Sequence, residues 1–416
     1  MMRKQDNSPE RGPVNVTTPT IFISAGEASG EHYGERLIEA LKLQCAQTER
    51  TPRFIGMGGE RMEAAGLERI VHAEDMAVMG LTEVVKHLPR IWREFQKLKA
   101  AIRCERPAVA VLIDFPEIHL RLARLFHALG IPVIYFVSPQ IWAWKQHRIK
   151  LVQRYVSRMA VIFPFEEAFY RKHGVEATFV GHPLAELPLP TVTREAFAAQ
   201  NNLDPARTWI ALLPGSRLQE IRGHLPEMLA TARMLGQSSP SEFLVPLAPT
   251  LNPVQRQEVR VLTEVHGSGL PVRLLEDARA SLFHSRAAVV ASGTATVEAA
   301  LIGNPFVVVY RVSRLTFAIA KRMVKVPFAA MVNLIAGREI VPELLQEDFR
   351  AETIVRHLQE LLPDGPARTS MQQDLAAVAH ALRPGQGPGS QGPNSGAIER
   401  VAAMVLEELA APATRS

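Results

Sequence analysis

Residues 288–310, AVVASGTATVEAALIGNPFVVVY, read as strand, tight turn, helix, turn and strand. AVVA is a short apolar run, and TATVEAALI suits a helix. Gly303 and Asn304 stop that helix, Pro305 blocks its continuation, and FVVVY is β-branched and aromatic. Ser292, Gly293 and Thr294 fall where strand passes into helix. The first amides of a helix lack partners and its dipole is positive there, so such a turn suits a phosphate. Glu298 follows one turn later, at the rim, where it suits a ribose diol. A plainer reading stays open, in which Ser and Thr only cap the helix.

The same alternation extends outward on both sides. TIFIS (20–24) is a short buried strand, and AGEASGEHYGERLIEALK then places Leu37, Ile38 and Leu41 on one helical face. Gly26, Gly30 and Gly34 are four apart, which is not the dinucleotide fingerprint. They suit either close approach by a ligand or tight packing. RFIGMGGERMEAAG (53–66) repeats strand, glycine turn and short helix. AVAVLIDF (108–115) is a buried strand ending in Asp114, at the carboxyl end where open α/β sheets bind ligands; Pro116 is expected to hold the chain open behind it. The alternation continues to residue 182, pauses in a proline-bearing linker with one short helix (183–205), and restarts at TWIALLPGSRLQEI.

The pattern predicts an α/β protein of two successive doubly wound, Rossmann-like domains facing a cleft. The expected divisions are a disordered tail over residues 1–18, an acceptor- and membrane-facing domain over 19–187 and a nucleotide-binding domain over 188–365. A helical region over 366–416 carries the low-complexity loop PGQGPGSQGPNSG (384–396).

Composition agrees: 416 residues are long for one domain, and 47% apolar with 21% charged residues suits buried cores. A formal charge of +5 is mild at this length and does not point to nucleic acid. Cys45 and Cys104 lack metal-like spacing and are expected to be reduced core thiols. No run approaches the ~20 apolar residues of a spanning helix, and the first twenty residues lack the apolar core of a secretory signal. A cytoplasmic protein follows, with any membrane contact peripheral. Residues 79–106 are amphipathic and basic, with Pro89 expected to split them into two helices. They suit either ordinary packing on a sheet or contact with anionic lipid.

Two turns of the second half, PGSR (214–217) and SGT (292–294), can aim amides at one ligand, and Arg217 adds a guanidinium for phosphate oxygens. Lys321, Arg322 and Lys325 are further cations. Together these suit a nucleoside diphosphate. The sequence has no Walker motif, no H-E-x-x-H, no cysteine cluster and no Asp-x-Asp, so no metal or cofactor site is expected. A leaving diphosphate would then rest on Arg, Lys and helix N-termini. Asp114 is the best-placed general base, with Glu117 and His119 as alternatives and a capping or ion-paired Asp114 as the plain reading. His32, His147 and His182 read as structural.

The motifs as a set resemble the lipid-A-disaccharide synthases, glycosyltransferases of the GT-B type. The matching stretches are AGEASGE (25–31), AVMGLTEVV (77–85), YFVSPQIWAWKQHR (135–148), LLPGSR (212–217), ASGTATVEAAL (291–301) and NLIAGREIVPELLQ (333–346). The resemblance implies a GT-B fold with C-terminal helices crossing back to the first domain. It also implies an inverting transfer that joins UDP-2,3-diacylglucosamine to 2,3-diacylglucosamine 1-phosphate (lipid X), giving a β-1,6 disaccharide 1-phosphate and UDP. Where the family reads Ile-Asp-x-Pro-Asp-Phe-Asn, this chain reads IDFPEIH. Asp114 as base and Pro116 match, whereas Glu117, Ile118 and His119 depart, which leaves the acceptor side of the pocket different.

Arg217 carries over as a functional residue. Gly26, Ser29, Gly30, Gly215, Ser216, Ser292, Gly293, Thr294, Thr296, Glu298, Asn333, Arg338 and Glu339 carry over as substrate-binding. Acylated substrates imply a peripheral site on the cytoplasmic face of the inner membrane, through Leu81, Val84, Val85, Leu88, Ile91 and Trp92. The resemblance also suggests dimerisation through the C-terminal half. Other readings stay open. One is a different GT-B enzyme on a UDP-sugar, such as a peptidoglycan-precursor glycosyltransferase or a nucleotide-sugar 2-epimerase. The other is a non-catalytic, membrane-peripheral nucleotide-binding relative.

Overall fold

The computed structural model describes residues 18–46, 51–76, 81–238, 240–324, 326–384 and 396–410. Residues 1–17 of the proposed N-terminal tail, the AVMG half of AVMGLTEVV and most of the PGQGPGSQGPNSG loop lie outside them. Thirteen strands are present among the described residues. The first seven are β1 (Thr20–Ala25), β2 (Arg53–Gly58), β3 (Leu67–His72), β4 (Val109–Ile113), β5 (Val133–Phe136), β6 (Arg158–Val161) and β7 (Ala177–Phe179). They form one sheet in the order β3-β2-β1-β4-β5-β6-β7. The remaining six are β8 (Thr208–Leu213), β9 (Ser241–Pro246), β10 (Val272–Leu275), β11 (Ala287–Ala291), β12 (Phe306–Tyr310) and β13 (Glu343–Leu345). Their order is β10-β9-β8-β11-β12-β13.

The central strands form here because they are continuous apolar runs, as parallel strands covered by helices on both faces must be, whereas the edge strands β3, β7, β10 and β13 are only partly buried. Every residue of β4 and of β11 is buried. Each fully buried Val, Leu or Ile of these cores contributes roughly 1.5–3 kcal/mol. In each sheet the winding reverses once. In the first, β1 leads outward to β2 while β4 leads outward the other way; in the second, the same holds for β8 and β11. The crevice at such a reversal, beyond the carboxyl ends of the strands, is where open α/β sheets take ligands.

The chain divides into two compact units, Met1–Pro139 with Leu151–Ala160 and Ile398–Ser416, and Gln140–Lys150 with Val161–Ala397. The last helix, Ala397–Ala410, therefore belongs almost wholly to the first unit. There Gln44 donates to the Glu399 carbonyl and Arg158 pairs with Glu407 at 2.6 Å. This is the return crossing expected of a GT-B fold.

Three local expectations are corrected. Pro116 does not hold the chain open; it is the first residue of the helix Pro116–Ala128, where a missing N–H costs nothing. Pro89 does not split its segment. One helix runs Leu81–Glu105 through it, and Leu88, Pro89 and Arg90 are exposed, so the proline sits on a solvent-facing part of the helix. Cys45 is buried as expected, but Cys104 is exposed on the last turn of that helix. No helix of the described residues is long and apolar enough to cross a membrane.

Candidate functional site

In the first unit, Asp114 follows β4 directly and Gly26 follows β1, and Ala25 pairs with Ile113 between them. Asp114 and Phe115 both take left-handed backbone angles, with φ of 51° and 49°. Such angles are uncommon outside glycine, and they turn the chain sharply into the next helix. The Phe115 ring then lies where a side chain at 26 would go: a Cβ on Gly26 would sit 2.4 Å from it. Gly26 is therefore required by this close approach. Gly30 is buried with ordinary clearance, and Ser29 is exposed beside it.

Asp114 is half-buried and forms no ion pair among the described residues, and its side chain caps no helix. The helix after it begins from Phe115, without a side-chain cap. Burial and the nearby Glu27 push the Asp114 carboxyl up, the Phe115 N–H pulls it back, and Glu117 adds to the rise, to about 6. A carboxylate with that affinity is mostly ionised near neutrality yet more basic than usual, which suits a general base. His119, by contrast, is fully buried; desolvation pushes it down to about 4, so it is neutral and does not face solvent. Glu117 is exposed on the helix surface.

In the second unit, the PGSR and SGT turns leave β8 and β11, which are neighbours; Leu213 pairs with Val290 just before both turns. The structure thus brings Gly215, Ser216 and Arg217 to the same sheet edge as Ser292, Gly293 and Thr294. Gly215 has φ 123°, and a Cβ there would strike Glu220 at 2.6 Å. Gly293 has φ 152°, a value that favours glycine, and it is the residue before the helix Thr294–Ile302. The Thr296 N–H donates to the Gly293 carbonyl at 3.1 Å, whereas the amides of Thr294 and Ala295 lie ahead of the helix's own hydrogen-bond ladder. Ser292 donates its hydroxyl to the Ala329 carbonyl at 2.9 Å, and Thr296 donates to Gly293 at 2.8 Å, so each oxygen keeps acceptor capacity only. Arg217 is more than half exposed and lies 3.9 Å from Glu220. Tyr310, at the end of β12, is raised by burial and by Glu220 and lowered by Arg217, which places all three groups within electrostatic reach.

Glu298 is half-buried, 3.8 Å from Arg279. Burial pushes its carboxyl up, Arg279 opposes this and Asp277 adds to it. Arg279 keeps one buried Nη without a hydrogen-bond partner. Two residues that the sequence did not single out hold these loops. His224 donates from Nδ1 to the Pro214 carbonyl (2.7 Å) and accepts the Arg311 N–H at Nε2 (3.0 Å), fastening the PGSR turn to the end of β12. Glu343 accepts the amides of Ala329 and Ala330 and one N–H of Asn333. Only their being polar residues in apolar surroundings could have flagged them.

Asn333 is fully buried and uses all four of its hydrogen bonds inside the protein. It donates to the Val341 carbonyl and to Glu343, and it accepts from the amides of Ile340 and Val341. Arg338 and Glu339 are exposed. Arg338 pairs with Asp374 at 2.5 Å, and both line a depression of about 270 Å³ with His357, Glu360 and Ser370; no residue of the PGSR or SGT turns lines it. Arg322 is exposed, and the side chain of Lys321 and the whole of Lys325 lie outside the described residues.

On the helix Leu81–Glu105, Leu88 is 51% and Trp92 66% exposed, Ile91 is half-buried, and Leu98 and Ile102 are in the core. The side chains of Leu81, Val84 and Val85 lie outside the described residues. Arg90 pairs with Asp75, and Arg93 and Lys97 with the buried Glu94.

A family model described as lipid-A-disaccharide synthetase matches residues 21–386. A lipid-A-disaccharide synthase of Acidobacterium capsulatum is 56% identical over 94% of this chain and 97% of its own length. One of Koribacter versatilis is 50% identical over 93% and 97%. Among solved structures, the S. aureus MnaA–UDP complex superimposes with a TM-score of 0.60 at 13% identity, over 94% of this chain and 97% of that one. The calicheamicin glycosyltransferase CalG4 gives 0.56 at 17% identity, over 95% and 100%. These two likenesses establish the GT-B fold.

Proposed function

The chain belongs to the lipid-A-disaccharide synthetase family, and from that premise we propose its reaction and the residues that perform it. It is a glycosyltransferase of lipid A synthesis. The donor is UDP-2,3-diacylglucosamine and the acceptor 2,3-diacylglucosamine 1-phosphate; the products are the β-1,6 disaccharide 1-phosphate and UDP. Asp114 takes the proton of the attacking acceptor hydroxyl as the new glycosidic bond forms and the bond to the diphosphate breaks, with inversion at the sugar carbon. Arg217 and the amides of Gly293 to Ala295 receive the charge that develops on the leaving diphosphate. Glu298 accepts hydrogen bonds from the ribose diol, and its neighbour Arg279, 3.8 Å away, opposes the protonation that burial favours.

The observation that carries this reading is the pairing of PGSR with SGT at the winding reversal between β8 and β11. Asn333, whose hydrogen bonds are all spent internally, acts by positioning. Through Glu343 it sets the Ala329 segment on which Ser292 rests. The exposed Leu88 and Trp92, among Arg90, Arg93 and Lys97, are proposed to rest on the surface of the membrane that carries the acylated substrates.

The test is to incubate the protein with both acylated substrates and follow disaccharide 1-phosphate and UDP by mass spectrometry. Formation of both, one for one, is expected. Turnover of another UDP-sugar, with no disaccharide formed, would overturn the assignment.

A further inference from the structure

His119, one of the three residues that depart from the family pattern, is hydrogen-bonded to Asp114 itself. Its Nδ1 lies 2.7 Å from the Asp114 carbonyl, and its Nε2 lies 2.8 Å from the Ser24 hydroxyl. A carbonyl oxygen only accepts, so Nδ1 carries the proton and Nε2 accepts from Ser24. The same carbonyl receives a second donor, the Tyr135 hydroxyl, at 2.5 Å. The Asp114 N–H is fixed as well, to the Phe136 carbonyl at 2.9 Å. Both peptide groups flanking the Asp114 α-carbon are thus tied to neighbouring strands: to β5 through Tyr135 and Phe136, and to β1 through Ser24. All three polar side chains of this set lie in the interior, Ser24 and His119 with no exposure at all.

We propose that Ser24, His119 and Tyr135 form a clamp on the Asp114 carbonyl that holds this residue in its left-handed conformation and so aims its carboxylate at the acceptor hydroxyl. His119 is a positioning residue: it touches neither substrate nor the reacting atoms. The inference rests on Asp114 being the base. Its logic is conformational. Two consecutive non-glycine residues in the left-handed region relax unless the surroundings over-determine them. Here a doubly accepted carbonyl, a bonded amide and the Phe115 ring seated over Gly26 do so. Ser24 sets the tautomer, because a Ser hydroxyl donating to Nε2 leaves the proton on Nδ1, where the Asp114 carbonyl needs it. On this account the departure from Asn at position 119 does not alter the acceptor pocket. Asn presents a near amide N–H where His presents Nδ1–H, and the longer imidazole only adds the link to Ser24.

Near and far donors can be separated by substitution in the full chain. His119→Asn keeps a donor at the Nδ1 distance, whereas His119→Gln moves it out to the Nε2 distance and loses the Asp114 bond. The clamp predicts that His119→Gln lowers kcat by about ten- to a hundredfold with KM changed less than about threefold, because only the aim of the base is lost. His119→Asn is expected to recover at least about tenfold of that loss, and Tyr135→Phe to lower kcat severalfold. Equal kcat in the Asn and Gln variants, whether both high or both low, would overturn the clamp. If His119→Gln does not fold, as judged by thermal unfolding, Tyr135→Phe decides: an unchanged kcat overturns the proposal and a lowered one supports it. Asp114→Asn, assayed alongside, separates the two ideas. If it stays active, the base is wrongly assigned. If it is inactive while the Asn and Gln variants match the parent, only the clamp fails.

Discussion

Replacing Asp114 by Asn is expected to make the protein more stable and nearly inactive. Burial and two acidic neighbours move this carboxyl from the ordinary 3.8 to about 6. A raised carboxyl binds its proton more tightly in the folded than in the unfolded chain, so stability falls as pH rises from about 4 to about 6. Integrating over that window, ionised Asp114 costs roughly 1 kcal/mol at about pH 4.5 and roughly 3 kcal/mol at about pH 7.5. Asn carries no such cost. It keeps an oxygen for the Phe115 N–H, and it tolerates left-handed angles at least as well as Asp. Urea unfolding of parent and variant at the two pH values should show an excess stability of the variant that grows about threefold between them. Over the same window the parent's kcat/KM should climb through an acid limb near pH 6, while the variant loses about a hundredfold or more. A capping or ion-paired Asp predicts the opposite sign, since its removal destabilises. A variant no more stable than the parent at about pH 7.5, or a difference independent of pH, would refute the reasoning.

Two further outcomes are expected. Asn333→Ala strips partners from two buried amides, a carbonyl and Glu343, and should cost about 3 kcal/mol or more in urea unfolding; a loss under about 1 kcal/mol would mean that the four bonds are not what holds this corner. Leu88→Glu with Trp92→Glu removes the two large exposed apolar side chains among the described residues of its helix, and sedimentation with anionic vesicles should weaken by about ten- to a hundredfold. Unchanged sedimentation would leave that helix as an ordinary packing element.

The sheets were legible in the sequence because parallel strands announce themselves. AVAVLIDF, TWIALL, AVVA and FVVVY are uninterrupted apolar runs, and almost nothing but a two-sided core tolerates them. The PGSR and SGT turns were legible for a related reason: a strand, a glycine and a hydroxyl residue before a helix describe such a turn locally. What the sequence hid is nearly all long-range. His119 and Ser24 are 95 positions apart, and the Asn333–Glu343–Ser292 chain joins three separate elements. Local pattern also misjudged Pro116 and Pro89, because a proline reports a missing N–H and not whether that N–H is needed. The SPQIWAWK stretch, so distinctive as text, spends Trp142 on a buried bond to Glu166 and leaves Trp144 exposed beneath Lys145.

Glycine shows where the boundary of legibility lies. Gly26, Gly215 and Gly293 read alike in the sequence, each as a turn into which a ligand can come close. In the structure they differ in what forbids a side chain. At Gly293 no atom is near, and the backbone angle alone favours glycine, so the space stays open, as the proposed phosphate site requires. At Gly215 the backbone angle and Glu220 both object. At Gly26 the angle is ordinary and the Phe115 ring occupies the space. A Gly26→Ala change therefore acts on Phe115 first and, through the strained pair, on the carboxylate of Asp114. In the proposed mechanism the glycine of the first domain serves the base, whereas that of the SGT turn serves the leaving group. That division cannot be read from three identical letters, because it depends on which partner the fold brings to each.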